Sequence, residues 1–102
     1  MNRGTARVVV FYRSPEDDPD AVVRRFHEVS RALRDTPGLL RSELLRDMTA
    51  PGRYAVLSEW ESWPAFRAWD DGPDHRDQTA PLRPYQAPHE SVFGAFEVAA
   101  AY

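Results

Sequence analysis

The stretch "RYAVLSEWESWPAFRAWDDGPDHR", residues 53–76, decides the fold, because a strand, a helix start and a helix stop follow one another in it. Arg53 to Trp60 has strand length and carries Tyr54, Val56 and Trp60, residues that suit a pleated surface. Ser62 stands where a helix N-cap is expected and Pro64 where a first helical turn tolerates proline, so a helix is predicted from about Trp63 to Asp70. "DGPD" interrupts it, and a short helical segment is predicted from Asp74 to about Thr79. Residues 59–76 hold all three tryptophans and one of the three histidines of the chain. Either these aromatics only fill a core, or they wall a pocket with a titratable group at its mouth.

Upstream, "LLRSELLR" (Leu39 to Arg46) and the strand at 53–60 flank "DMTAPG", whose Pro and Gly predict an antiparallel hairpin. Before it, Val22, Phe26, Val29 and Leu33 recur at spacings of four, three and four. They form one stripe of an amphipathic helix from Pro19 to about Asp35, with Arg24, Glu28, Arg31 and Asp35 opposite. Asp18 or Ser14 can cap its start, and "TPGLL" ends it. "ARVVVFY" (Ala6 to Tyr12) is apolar on both alternating faces, which predicts a central strand buried on both sides. Downstream, "APLRPYQAPHE" (80–90) has three prolines and no period, hence a loop, long enough to serve as a lid. "SVFGAFEVAAAY" (91–102) closes the chain as a last strand.

The order β, α, β, β, α, β predicts an α+β fold of the ferredoxin-like, split βαβ type: a four-stranded antiparallel sheet with two helices on one face. The 102 residues are read as a single domain, 1–102, able to bury about 65% of its unfolded surface. Helices cover only one side of such a sheet. The first strand offers Val8, Val10 and Tyr12 on one side and Val9 and Phe11 on the other. The last strand sets Val92, Phe96 and Val98 against Phe93, Ala95 and Ala99. A second subunit packing sheet against sheet is therefore expected, giving a homodimer. Glu43 and Glu97 are expected at solvent or the dimer rim, with Arg41 or Arg53 as partners, and Trp63 as a helix staple or an interface residue.

The formal charge is −3 and the thirteen basic residues, all arginine, are scattered, so no basic stripe exists to track nucleic acid. With no cysteine there is no disulfide framework, thiolate nucleophile or thiolate metal site. No run of eighteen apolar residues predicts a membrane span, and the five-residue apolar run before Arg13 is too short for a signal peptide, so the expected address is cytoplasmic. The histidines at 27, 75 and 89 lack metal-ligand spacing and no glycine-rich nucleotide motif is present, so neither a metal nor an organic cofactor is expected.

The pattern in "SEWESWPAFRAWDDGPDHR", with "PGLLRSELLR" upstream and "FEVAAAY" at the close, resembles the antibiotic biosynthesis monooxygenase family over nearly the whole chain. That resemblance implies dimeric α+β barrels of ferredoxin-like subunits. Members include cofactor-independent oxygenases of aromatic polyketides, quinol oxygenases, haem-degrading enzymes and proteins with no demonstrated catalysis. Trp60 matches a tryptophan that anthrone-oxidising members place before the second helix, which implies an indole N–H donating to a substrate oxygen. Phe66 stands where those members carry tyrosine and Val56 where they carry asparagine. Trp69 is similar to a second-helix tryptophan of haem-degrading members, but the first strand has no asparagine and His75 falls earlier than their iron ligand.

The reading that follows is a cofactor-independent monooxygenase, with O₂ as co-substrate, oxidising a polycyclic aromatic phenol or anthrone of polyketide type to a quinone. An electron-rich hydroxyarene reduces O₂ once deprotonated, so the protein needs an apolar slot, a base of near-neutral pKa and donors at the developing oxyanion. His75 is the candidate base and Trp60 the candidate donor, with Phe26, Phe66 and Trp69 as further walls. Tyr12 points its hydroxyl either into the cavity or to solvent, and Arg83 is offered to an anionic or phenolate group. His27 and His89 are read as structural or solvated. The alternatives are a non-oxidising polyketide cyclase or ligand-binding protein of the same fold, and a haem-degrading monooxygenase.

Overall fold

The computed structural model describes residues 4–87 and 93–102, Phe93 by its backbone alone. The strands are β1 (Ala6–Arg13), β2 (Leu39–Arg46), β3 (Arg53–Trp60) and β4 (Phe93–Glu97), and the helices are α1 (Ala21–Ala32), α2 (Trp63–Asp70) and α3 (His75–Thr79). A 3₁₀ turn spans Arg83–Tyr85. The sheet order is β2-β3-β1-β4 with every neighbouring pair antiparallel, the ferredoxin-like arrangement expected from the element order. The register pairs Ala6 with Trp60, Val8 with Ser58, Val10 with Val56 and Tyr12 with Tyr54. Because side chains alternate across a strand, these eight share the helix-covered face.

Local chemistry fixed the hairpin and α2 where the sequence placed them. Ser62 Oγ accepts from the Ala65 backbone N–H at 3.1 Å, satisfying one orphan donor of the first turn. The α2 start lies directly on the start of β2: Gly38 has φ +85°, and a Cβ there would meet the Ala65 Cβ at 2.6 Å. Only glycine fits that approach, which seats α2 over Trp60.

Two boundaries differ from expectation. Helix α1 is shorter at both ends than the predicted 19–35. Its Asp20 N-cap makes no side-chain cap; instead the buried Ser14 Oγ accepts from the Val22 backbone N–H at 3.1 Å, while Asp18 pairs with Arg24. At the far end Leu33 caps the helix and Asp35 turns left-handed, φ 66°, because a proline follows Thr36 and the short polar side chain of aspartate tolerates that region. Strand β4 is also shorter than the predicted 91–102. Its last rung among the described residues is Val98 N–H to Thr5 C=O at 3.0 Å. Ser91, Val92, His89 and the end of the 80–90 loop lie outside the described residues.

The layer between helices and sheet holds two core clusters rather than one. Tyr12, Val22, Val29, Tyr54 and Leu82 form the first, and Ala6, Val8, Trp60 and Phe66 the second, with Val10 packed against both. Between them the inward positions carry serines, Ser30 on α1, Ser42 on β2 and Ser58 on β3. Small hydroxylated side chains cannot close the gap between two aromatic clusters, so space remains there.

Among the described residues, no helix covers the opposite face of the sheet. Phe11, Leu45 and Phe96 lie on it at 38%, 44% and 62% exposure, beside Val9, Ala55 and Leu57 in register. Ion pairs flank the patch, Arg7 to Glu59 at 3.3 Å and Arg41 to Glu43 at 3.0 Å. No helix of the described residues is long and apolar enough to cross a membrane.

Candidate functional site

The space between the two core clusters is a cavity of about 300 Å³, at the small end of the range for ligand pockets. Its floor is the inward face of β1 and β3, one wall is the Phe26, Val29, Leu33 stripe of α1, and the other runs from α3 into the 3₁₀ turn. Tyr12, Phe26, Trp60, Phe66, Trp69, His75 and Arg83, which the sequence nominates from six separate segments, all line it.

One end is aromatic. Trp60 sits edge to face with Phe66 at 5.4 Å between ring centroids and stacks on Trp69 at 5.2 Å. Trp69 in turn meets the His75 ring edge-on at 4.6 Å. Trp63 lies outside this group, 42% exposed, stacked on Phe66 at 5.3 Å with Arg67 over its other side.

The indole N–H groups are already committed, which departs from the expected role of Trp60. Its Nε1 donates to Ser58 Oγ at 3.0 Å, and the residue is only 1% exposed. Trp69 Nε1 donates to Gln78 Oε1 at 2.7 Å, and Gln78 Nε2 donates to the Ala32 carbonyl at 3.3 Å. Gln78 thereby ties α3, α2 and the end of α1 together around the aromatic end.

The polar side of the cavity is built by α3 and the following turn. His75 Nε2 lies 3.3 Å from Asp70 Oδ1. Burial pushes the His75 imidazole below the ordinary histidine value, Arg83 and Arg76 push the same way, and the Asp70 carboxylate opposes them. At neutral pH the ring is therefore uncharged and able to take a proton. Tyr12 is buried, and burial lifts its phenol to about 12, only partly offset by Arg83 and by a hydrogen bond with Gln86. It stays a neutral hydroxyl. Arg83 Nε is buried with no hydrogen-bond partner among the described residues.

The 80–90 segment is no free flap over its described length. Leu82 and Ala87 are buried, and the Ala87 backbone N–H donates to the Phe11 carbonyl at 3.0 Å. His27 is exposed on α1, edge-on to Phe26 at 5.9 Å. Glu43 has Arg41 as its partner, as expected.

Sequence reading missed Ser30, Ser42, Ser58, Asp70, Thr79 and Gln86, which also line the cavity. A signal existed for two of them. Ser58 is two residues from Trp60 and Asp70 four from Phe66, spacings that keep each pair on one side of its strand or helix. Among the described residues no group of three or more His, Asp or Glu could hold a metal ion.

Among curated proteins, the chain is 29% identical over 79 residues to Protein SchA of Streptomyces halstedii, covering 78% of this chain and 21% of that protein. It is 42% identical over 50 residues to a mycobilin-producing haem oxygenase of Mycobacterium tuberculosis, 49% of this chain and 48% of that one. The chain thus spans about a fifth to a half of the length of these relatives. Among solved structures, a variant of SnoaB, a cofactor-independent oxygenase from Streptomyces nogalater, superposes with a TM-score of 0.79 at 20% identity over 96% of both chains, a likeness of fold. The antibiotic biosynthesis monooxygenase model matches residues 5–80, more than half of the sequence and all of the cavity's floor and aromatic end, and the chain belongs to that family.

Proposed function

We propose that the cavity binds a small electron-rich polycyclic phenol or anthrone of polyketide type, and that the protein is a cofactor-independent monooxygenase converting it to a quinone. One observation carries this reading: a histidine held below its ordinary pKa and 3.3 Å from a carboxylate shares an aromatic-walled cavity with the Arg83 cation. The Asp70 carboxylate, 3.3 Å from Nε2, favours the tautomer with its proton there and Nδ1 free to act as base, and it stabilises the imidazolium that forms. Arg83 lowers the energy of a phenolate or enolate beside it. The deprotonated substrate passes one electron to O₂, the two radicals combine to a peroxide at the ring carbon, and loss of water gives the ketone. The substrate supplies all four electrons; one oxygen atom ends in the quinone and the other in water. No further reductant is needed.

Purified, metal-stripped protein is expected to accelerate O₂ uptake by 1,8-dihydroxyanthrone. Binding without O₂ uptake would instead support a cyclase or ligand-binding role, which Phe66 and Val56, in place of polar residues, favour. The 42% match to a haem oxygenase favours a third reading. Haem fits poorly, since the histidine lining the cavity turns Nε2 to Asp70 and a space of about 300 Å³ is small for a tetrapyrrole. A Soret band on haem titration would contradict the reading adopted here.

We further propose a cytoplasmic homodimer formed through the uncovered sheet face, because Phe11, Leu45 and Phe96 make a partly exposed apolar patch there, the kind of surface that marks a protein interface. Its paired charges, Arg7–Glu59 and Arg41–Glu43, suit a self-complementary rim. Sedimentation equilibrium is expected to give twice the 11.7 kDa chain mass. A single-chain mass at micromolar concentration would exclude the dimer.

A further inference from the structure

We propose that the Ser58 hydroxyl, and not the Trp60 indole, is the donor that meets the ligand oxygen, with Trp60 as the residue that positions and polarises it. This rests on the cavity being where a hydroxyarene binds. Both tryptophans of the aromatic end have spent their single N–H on side-chain acceptors, Trp60 on Ser58 at 3.0 Å and Trp69 on Gln78 at 2.7 Å. An indole has one donor and no acceptor, so neither ring has a polar group left for a ligand. Trp60 is also 1% exposed; a ligand atom reaching its Nε1 would have to displace Ser58.

Ser58 is the next polar group along that line. It lines the cavity from β3, directly opposite Ser42 of β2, which lines it too. A serine hydroxyl has one O–H and two lone pairs. Accepting from Trp60 fixes one lone pair and turns the O–H away from the indole, and Ser58 makes no other side-chain hydrogen bond among the described residues. A hydroxyl that accepts from an N–H becomes a better donor, and it sits in a partly buried site where that donor counts for more than in water. The pair of hydroxyls on adjacent strands therefore presents donors where negative charge develops on a phenolic or anthrone oxygen. Trp60 supplies the wall and holds the Ser58 oxygen at a fixed distance.

The test is an anaerobic calorimetric titration of 1,8-dihydroxyanthrone, so that binding is read without oxidation. Ser58→Ala is expected to weaken binding about tenfold, the worth of one buried hydrogen bond, and Ser58→Thr, which restores a hydroxyl, to bind like the wild type. Trp60→Phe, which keeps a six-membered aromatic wall and loses the N–H together with the five-membered ring, should cost less than Ser58→Ala and add nothing in the Ser58→Ala background, the signature of two groups acting as one. If the indole were the donor, Ser58→Ala would free it, leaving affinity unchanged or improved, and Trp60→Phe would carry the full loss in both backgrounds; that pattern overturns the proposal and leaves the proposed function standing. Wild-type protein that fails to bind the anthrone at all overturns both. The sign of the Ser58→Ala effect decides the matter even if Trp60→Phe folds poorly.

Discussion

Replacing His75 with glutamine is expected to lower the rate of anthrone oxidation by about 10²–10⁴-fold, the usual worth of a positioned general base, while anaerobic binding of the anthrone changes little. Glutamine keeps a polar side chain of similar reach beside Asp70 and Trp69, but it cannot take the substrate proton. The pH profile separates this from a packing defect. In the wild type, kcat/KM should rise with pH as the imidazole loses its proton, and the limb should lie on the acid side of 6.5, because burial, then Arg83 and Arg76, hold His75 below that value. The glutamine variant should lose the limb. The sign for stability follows from the same shift: between the folded and unfolded values the unfolded chain binds the extra proton, so this contribution is present above 6.5 and is lost as pH falls. Full activity in the variant, or an unshifted acid limb, would remove His75 from the chemistry.

The second large effect is structural. Trp60→Ala is expected to cost about 3–5 kcal/mol, the range for deleting a buried large aromatic. Its ring is 1% exposed and joins Phe66 and Trp69 under α2, and neighbours held by the Ser62 cap and the Gly38 contact cannot collapse into the space. For a domain of about 100 residues, with about 4–8 °C of melting temperature per kcal/mol, that is a fall on the order of 15 °C or more in thermal denaturation. Trp63→Ala gives the contrast: Trp63 is 42% exposed and stacks on Phe66, so its loss should stay below about 1 kcal/mol. Equal effects at the two positions would mean that the aromatic end is not the second core.

The elements that local chemistry determines were legible in the sequence. Ser62, Pro64 and the "DGPD" break define α2 within five positions of the residues they act on, and turn residues set the β2–β3 hairpin. Where a boundary depends on a distant partner, the sequence misleads. Helix α1 takes its cap from Ser14, one of the two candidates in the sequence, eight residues from Val22, yet it starts at Ala21 rather than Pro19, and β4 stops at Glu97. The cavity's location was legible in part: Trp60, Phe66 and Phe26 fall on inward faces by period, whereas β1 is apolar on both faces and its period leaves Tyr12 open between cavity and solvent. What period does not reveal is where a hydrogen bond goes. That the Trp60 N–H ends on Ser58, and that Asp70 meets His75 across a turn, are facts of side-chain direction, and so Trp60 read as a donor to the ligand when its donor was already used.

The most direct measurement is isotope incorporation: metal-stripped, haem-free protein, 1,8-dihydroxyanthrone and ¹⁸O₂, with mass analysis of the quinone. One ¹⁸O per quinone, formed faster than in buffer and lost in the His75→Gln variant, is the predicted result. Quinone formed no faster than in buffer, or formed equally well without His75, would contradict oxygenation in this cavity.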